Sequence, residues 1–415
     1  MSSSFRKSRG RRGRRLAAQI AGAAAVVCGG GTASADAWLW DPRVEVGAVY
    51  DDNYRLTEER ANQIEVTGAA LDAELGMLTE TPTTRLELRP RVHSTYFPNK
   101  SSEDATDGYL TALAQKRTQR LLSRFQGQFA DQSVVSSELL AANFPGIDLG
   151  QPVSGDTGRV TLRNRQRLIL AEPSIAFDWT QRRHLTASLQ YMDVQYDNKL
   201  FEQVGYKSYS GTGGIVFDVT QRSSLSLNLL ESVYSPADGS KDTNTTGLAG
   251  IWRTSTSEVT SFYVRAGANH STRDAEGTSP KISATSFNGG VGAEWHQQTT
   301  RWLIDLLRST SPSGAGVVIN RDELRFRVLR DFQPRFSGFL AARGIKDSGL
   351  SNSVTTIRER KYATGSTGFE WRANRQIAID GAYDYTWQKY QGDLNAAVSN
   401  GVHLSVVYQP RRLNP

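Results

Sequence analysis

Histidine and cysteine are the residues of this chain with the broadest chemical repertoire, and their spacing argues against catalysis. The five histidines, His93, His184, His270, His296 and His403, show no metal-ligand spacing. The sequence contains no nucleophile elbow, phosphate loop or dinucleotide fingerprint. Segment 238–244 has calcium-like oxygen spacing without the closing glutamate, and we interpret it as a solvated loop. We predict no enzymatic activity, no cofactor and no metal, with a spatially assembled Ser-His hydrolase as the alternative.

Arginine is the other residue type whose placement suggests chemistry, because its planar guanidinium grips carboxylate, phosphate or sulfate in a two-pronged fashion. Arginines and acids recur at alternate positions of several segments, which places each set on one face of a strand. If that face lines a water-filled passage, an arginine-bearing wall favours anions. The predicted lining residues are Arg85, Glu87, Arg89, Arg91, Arg124, Arg325, Arg327, Arg358, Arg360, Asp380 and Asp384. In the alternative interpretation these charges only pair across neighbouring strands.

A short motif of apolar, acidic and apolar residues recurs just before several predicted turns. It occurs at 177–179, 217–219, 293–295 and 369–371. The acid of each motif points away from its two neighbours, so we predict an acidic ring near the periplasmic mouth of a channel. The acids of this ring are Asp178, Asp218, Glu294 and Glu370. The predicted aromatic girdle at the membrane interface consists of Trp179, Trp252, Trp295 and Trp371.

The element that must position these side chains is the β-strand. After Trp40, apolar and polar residues alternate with a period of two, for example in 44–50, 85–93, 377–387 and 402–409. Such alternation indicates strands with one apolar face and one polar face. The alternating segments exceed the about 5–6 residues of a typical globular strand and suit the about 9–11 needed to cross a bilayer at a tilt.

The connections between these strands alternate between short polar turns and longer loops. The long loops are predicted at 51–62, 97–108, 133–160, 198–205, 236–242, 272–281, 311–318, 347–355 and 390–397. Short periplasmic turns and long extracellular loops are typical of outer-membrane barrels. Because every backbone polar group in hydrocarbon must be paired, such a sheet must close on itself. We predict an all-β fold, a transmembrane antiparallel up-and-down barrel of about 18 strands (16–18), since no helical pattern supplies the second layer that a soluble sheet would need.

The positive charge of the chain is confined to its start. The net charge is +7, seven of the 49 Lys and Arg residues lie within 1–35 where no acid occurs, and the remaining 42 match the 42 acids. A basic start, an apolar stretch at 16–27 and small residues at 33–35 predict a cleaved signal peptide, with a transit peptide as the alternative. Cys28 is interpreted as part of the apolar stretch. We expect residues 36–415 to form a single barrel domain in the bacterial outer membrane.

The longest predicted loop, 133–160, has more apolar residues than a surface loop usually displays. They are Leu139, Leu140, Phe144, Ile147 and Leu149. The loop could fold inward as a constriction or plug, contact a partner, or pack on itself as a compact loop.

The stretch Tyr50, Asp51, Asp52 and Asn53, which follows the first alternating segment, carries a family resemblance. It resembles the early strand end of the β-barrel porin families of Gram-negative outer membranes that are associated with exopolysaccharide export, and the likeness extends through the hairpin repeats. The chain departs from the usual barrel pattern at its end, where Tyr408 is followed by the non-aromatic segment 409–415.

The resemblance implies a channel, and our leading expectation is export of an acidic exopolysaccharide. The alternative is a general diffusion porin for small hydrophilic or anionic solutes, and a structural or adhesive surface barrel is a further one. The expected partners are outer-membrane lipid, the barrel-insertion machinery and a periplasmic polysaccharide-export protein, with no nucleic acid.

Overall fold

A computed structural model describes residues 38–140, 164–198, 203–275, 281–350 and 358–410 of the chain. The predicted leader 1–35 and segment 141–160 of the longest predicted loop lie outside these residues. Within the described ranges, none of the helices has the length and apolar character needed to cross a membrane.

Eighteen antiparallel strands form one sheet, which confirms the predicted fold class and strand number. Each strand pairs with its neighbours in the chain, and β1 also pairs with β18 from Val44↔Tyr408 to Asp51↔Gly401, so the sheet closes into an up-and-down barrel. The strands are β1 (Leu39–Asp51), β2 (Val66–Glu80), β3 (Thr84–Tyr96), β4 (Ala105–Arg117), β5 (Leu121–Ser133), β6 (Arg165–Thr180), β7 (Arg183–Tyr196), β8 (Tyr206–Asp218), β9 (Ser223–Pro236), β10 (Thr243–Ser255), β11 (Thr260–Arg273), β12 (Ile282–His296), β13 (Thr300–Ser313), β14 (Val317–Gln333), β15 (Phe336–Gly349), β16 (Arg360–Arg372), β17 (Ile377–Tyr390) and β18 (Ala397–Tyr408). The described helices are α1 (Val134–Leu140) and two 3-10 turns, Arg60–Asn62 and Ser101–Glu103.

The alternation seen in the sequence sorts side chains between the two surfaces of the barrel. Val46 pairs with Leu71 on one side and Val406 on the other, and all three are exposed on the outer surface. Their chain neighbours Glu45 and Ser405 point inward and are hydrogen-bonded to each other. Because side chains alternate across a strand, one apolar exterior and one polar interior follow from the period of two.

Eight short turns join the strands at the end where both termini lie, as predicted. Backbone hydrogen bonds close them, such as Thr81 N to Thr84 O at 2.7 Å and Gln297 N to Thr300 O at 2.8 Å. Both strand termini of the barrel, Leu39 and Tyr408, lie at this end.

The predicted long loop 311–318 is a tight hairpin instead. β13 continues to Ser313 and β14 begins at Val317, with Gly316 in the left-handed region at φ 79°. The strands extend into this segment because the hairpin bends over the interior, where other residues of the barrel pack against it. At its tip, Ser313 O accepts a hydrogen bond from Tyr234 Oη, and Gly314 O accepts one from Val204 N, both at 2.7 Å.

Candidate channel interior

The predicted lining arginines of β3 lie on the inner face, and acids of the same wall neutralise them. Arg85 Nη2 lies 2.8 Å from Glu87 Oε2. Arg89 contacts Glu87 at 2.5 Å and Glu74 of β2 at 3.0 Å. Arg91 lies over the ring of Tyr109 and forms a 2.6 Å ion pair with Asp72. The alternative of cross-strand pairing therefore describes this part of the wall well.

A second charged group on β13 to β15 is buried within the wall. Arg325 pairs with Asp305, which also accepts a hydrogen bond from the hydroxyl of Tyr263. Arg343 Nε lies 2.7 Å from Glu323, and Arg321 Nε lies 2.8 Å from Asp347. All of these carboxylates are buried. Losing one partner of a buried ion pair costs about 3–5 kcal/mol, so these pairs hold neighbouring strands in a fixed register.

The other predicted lining residues occupy more varied positions. Arg124 points inward on β5 and donates to Gln126 at 3.2 Å, and Arg327 lies inward on β14 opposite Leu303 and Ala341. Arg360 is buried on β16, where it donates to Gln388 at 2.9 Å and lies over Tyr362. Asp380 and Asp384 lie on the inner face of β17, where Asp384 accepts a hydrogen bond from Ser366.

Arg358 does not lie on a strand, although the prediction placed it in the wall. It precedes β16 at the long-loop end, where it pairs with Asp393 and lies over Tyr390. The alternation around Arg360 suggested a longer strand, but the pairing of β16 with β17 stops at Arg360↔Tyr390.

Among the inward arginines that the sequence interpretation missed are Arg253 on β10 and Arg265 on β11. Arg253 lies over the ring of Tyr263, the residue paired with it across the strands. Arg265 is opposite Gly290 and Ile251, and no described residue forms a hydrogen bond or ion pair with it. Both alternate with the outward-facing Trp252 or Val264, so the period-two rule could have identified them.

Charge is unevenly distributed around the interior. On β10 to β15 the described inward arginines outnumber the acids, and on β16 to β18 and β1 to β3 the acids outnumber the arginines. The basic sector comprises Arg253, Arg265, Arg273, Arg301, Arg321, Arg325, Arg327 and Arg343, with Glu294, Asp305, Glu323, Asp331 and Asp347. The acidic sector comprises Asp41, Glu45, Asp51, Asp72, Glu74, Glu80, Glu87, Glu370, Asp380 and Asp384, with Arg43, Arg85, Arg89, Arg91, Arg360 and Arg372.

The four predicted mouth acids all lie inward near the short-turn end. Asp178 and Asp218 bind the two ring nitrogens of His184, at 2.7 and 2.8 Å. Glu294 lies 2.7 Å from His296, and Glu370 lies 2.5 Å from Arg372. Each acid therefore has a basic neighbour, which makes the mouth less negative than a bare carboxylate ring.

The four predicted girdle tryptophans face outward near the short-turn end. Trp179, Trp252 and Trp371 are about half exposed, and Trp295 packs against Trp302 of β13 with 6.1 Å between ring centroids. Exposed leucines, valines and phenylalanines continue this surface toward the long loops. A closed barrel with this exterior suits the outer membrane, the predicted location.

The motif Tyr50, Asp51, Asp52 and Asn53 fastens the junction between β1 and β18. Asp51 accepts a hydrogen bond from Ser399, and Asp52 accepts two from Asn400, each at 2.7 Å. Asn53 is buried and donates to the carbonyls of Thr57 and Val398, both at 2.9 Å. Tyr50 lies on the outer surface. The motif thus has a structural part in closing the barrel.

Two segments fold into the interior at the long-loop end, and we call them the inward segments: 52–65 and α1. Tyr54, Leu56 and Val135 form a buried apolar cluster that includes Ile345 and Tyr362 of the distant wall. Burial raises the pKa of the Tyr54 hydroxyl, and the nearby carboxylates of Asp107 and Glu103 raise it further.

The neighbouring residue of α1, Val134, belongs to a second cluster with Met192, Tyr206, Tyr234 and Val318. The start of the predicted loop 133–160 therefore bridges two parts of the wall. An inward-folding constriction by the whole loop stays a prediction, because 141–160 lies outside the described residues.

No family model matches the chain, and no curated protein is significantly similar to it. The resemblance to barrels associated with exopolysaccharide export therefore stays a prediction. Among solved structures, the outer membrane protein opdK of Pseudomonas aeruginosa has 10% identity and a TM-score of 0.44, covering 89% of this chain and 98% of its own. OccAB2 of Acinetobacter baumannii has 10% identity and a TM-score of 0.46, and OccK2 (OpdF) of Pseudomonas aeruginosa has 8% and 0.47; both matches cover 90% of this chain and 98% of theirs. Identities this low and TM-scores below 0.5 mark a distant likeness.

Proposed function

We propose that this barrel is an outer-membrane channel for small hydrophilic solutes, with a preference for anions. The interior is polar and charged along the wall, whereas the exterior is apolar. Barrels of about 16–18 strands are wide enough to hold water rather than a packed core. A water-filled interior gives hydrophilic solutes a path that the surrounding lipid denies them.

The observation that carries the proposal is the narrowing of the interior by the inward segments. Val134 and Val135 of α1 reach two different parts of the wall, and the β13–β14 hairpin packs into the same cluster as Val134 through Val318 and Tyr234. A bulky polymer needs a continuous wide bore, whereas a small solute can pass beside such segments. This favours the diffusion porin over export of an acidic exopolysaccharide, the leading expectation from the sequence.

Anion preference is supported by the basic sector and above all by Arg265. Arg321, Arg325 and Arg343 of this sector are compensated by acids, whereas no described residue forms a hydrogen bond or ion pair with Arg265. An arginine with free donors on a pore wall attracts anionic groups. The adjoining acidic sector would at the same time repel them, so passing anions are expected to follow the basic side.

Solute size distinguishes the two functions. Liposomes containing the purified full chain are placed in isotonic galacturonate or in an isotonic long-chain oligogalacturonide, and swelling is followed by light scattering. We expect fast swelling with the monomer and none with the long chain, because the inward segments exclude it. Equal permeation of both solutes would contradict the proposal and favour polysaccharide export; no swelling with either would contradict both.

A further inference from the structure

Three lysines lie side by side on the outer surface near the long-loop end. Lys346 of β15 is paired in register with Lys361 of β16, and Lys361 is paired with Lys389 of β17. The alternation of each strand places its lysine on the outer surface. The exposed residues Leu340 of β15, Phe369 of β16 and Tyr385 of β17 lie on the same face. We call these three residues the lysine row.

The lysine row has a single acid beside it. Lys346 is paired in register with Asp322 of β14, which also lies 3.6 Å from Arg308 of β13, whereas Lys361 has only lysines opposite it. Like charges directly opposite each other on neighbouring strands destabilise a sheet. No hydrogen bond or ion pair joins any of these lysines to another residue in the described part of the chain. A sheet that tolerates three such neighbours points to an anion supplied from outside the chain.

Other basic residues at this outer rim have acidic neighbours. Arg165 lies 2.9 Å from Asp131, and Arg308 lies 3.6 Å from Asp322. Lys207 is paired in register with Asp193. Compensation within the rim is therefore attainable, and the lysine row, which shares the single acid Asp322 with Arg308, has an excess of positive charge on β15 to β17.

The surface directly below the lysine row suits a lipid chain. The next outward positions are Gly344, Ala363 and Trp387, which are paired across the same three strands. A methyl group added at Gly344 would meet nothing closer than the Leu324 side chain at 4.0 Å, so the surface there is open. The small residues therefore form a shallow floor between Leu324 on β14 and Trp387 on β17. Lysine ammonium groups can extend from such an apolar surface to the level of lipid head groups.

We propose that the lysine row binds the phosphates of a multiply phosphorylated lipid in the outer leaflet, with one acyl chain on the small-residue floor. Three ammonium groups on adjacent strands match a head group with more than one phosphate, which can bridge them and relieve their repulsion. The apolar floor selects a lipid over a free anion. The site lies outside the bore, so its occupancy does not depend on which solute the channel carries.

Lipid retention tests the proposal. The full chain in neutral detergent is titrated with diphosphorylated lipid A, with the same lipid after phosphate removal, and with inorganic phosphate, and native mass spectrometry measures the bound fraction. The test variant is K346Q/K361Q/K389Q. The control, R167Q/K207Q, removes two basic residues of the rim that lie away from the lysine row, Arg167 at 3.5 Å from Asp131 and Lys207 opposite Asp193.

We expect the test variant to bind the diphosphorylated lipid at least about tenfold more weakly, while the control stays close to wild type. Wild type should bind the dephosphorylated lipid and inorganic phosphate poorly. Equal binding by wild type and test variant would overturn the proposal. If wild type binds the dephosphorylated lipid as tightly as the diphosphorylated one, acyl contact alone explains binding. If it binds inorganic phosphate as tightly, the lysine row is a free-anion site. Either result overturns the proposal.

A single substitution keeps the proposal testable if the triple variant folds poorly. K361E places an acid between two lysines, so in lipid-free detergent it should raise the unfolding temperature. The same variant should lose retention of the diphosphorylated lipid. Unchanged retention in K361E would contradict the proposal.

Discussion

At the scale of single residues, most charges of the interior are committed to neighbours on adjacent strands. Arg91 with Asp72 and Arg343 with Glu323 leave little free charge for a passing solute. Arg265 differs, because its neighbours across the strands are Ile251 and Gly290. The ion selectivity of the bore is therefore expected to depend more on Arg265 than on the arginines with closer acids.

Replacing Arg265 with Ser should lower the chloride-to-potassium permeability ratio, because it removes a cation that no described acid offsets. The measurement is the reversal potential of a planar bilayer containing the full chain under a potassium chloride gradient. Arg265→Lys retains the charge and serves as the matched control. An unchanged ratio in Arg265→Ser would show that selectivity arises elsewhere in the wall.

At the scale of elements, α1 and the β13–β14 hairpin determine how wide the bore is. The apolar residues of the hairpin, Val317, Val318 and Ile319, are buried although they lie at the end of a barrel wall. The sequence predicted a loop there. The residues that pack on the hairpin, Val204 and Tyr234, lie more than 75 residues away in the chain, so the local pattern did not show that the hairpin is buried. A local pattern contains no information about such a distant contact.

Removing the inward helix should raise single-channel conductance. A variant in which a short Gly-Ser linker replaces residues 134–163 loses both valines that contact the walls, so the narrow part of the bore should widen. The control shortens the connection between β9 and β10, residues 237–242, and should conduct like wild type. If conductance is the same in both variants, the inward helix does not limit the bore.

At the scale of the whole molecule, the strand number, the side of the short turns and the inward or outward facing of most residues were predictable. They depend on a period of two and on backbone pairing, which are local properties. The ion pairs were not predictable in the same way. Asp305 meets Arg325 only because the turn between β13 and β14 fixes a particular register. The motif 50–53 was noticed as a resemblance, and its part in fastening β1 to β18 became visible only in the closed barrel.

The central claim is that the inner surface of this barrel lines a water-filled passage. It is tested most directly by adding an anionic methanethiosulfonate reagent to single channels, in a chain whose Cys28 is replaced by Ala. Ser226→Cys points inward on β9, and its neighbour Leu227→Cys points to lipid. The account predicts a stepwise fall in conductance for Ser226→Cys and no change for Leu227→Cys. A folded barrel that does not conduct, or a blocked Leu227→Cys channel with an unaffected Ser226→Cys channel, would contradict it.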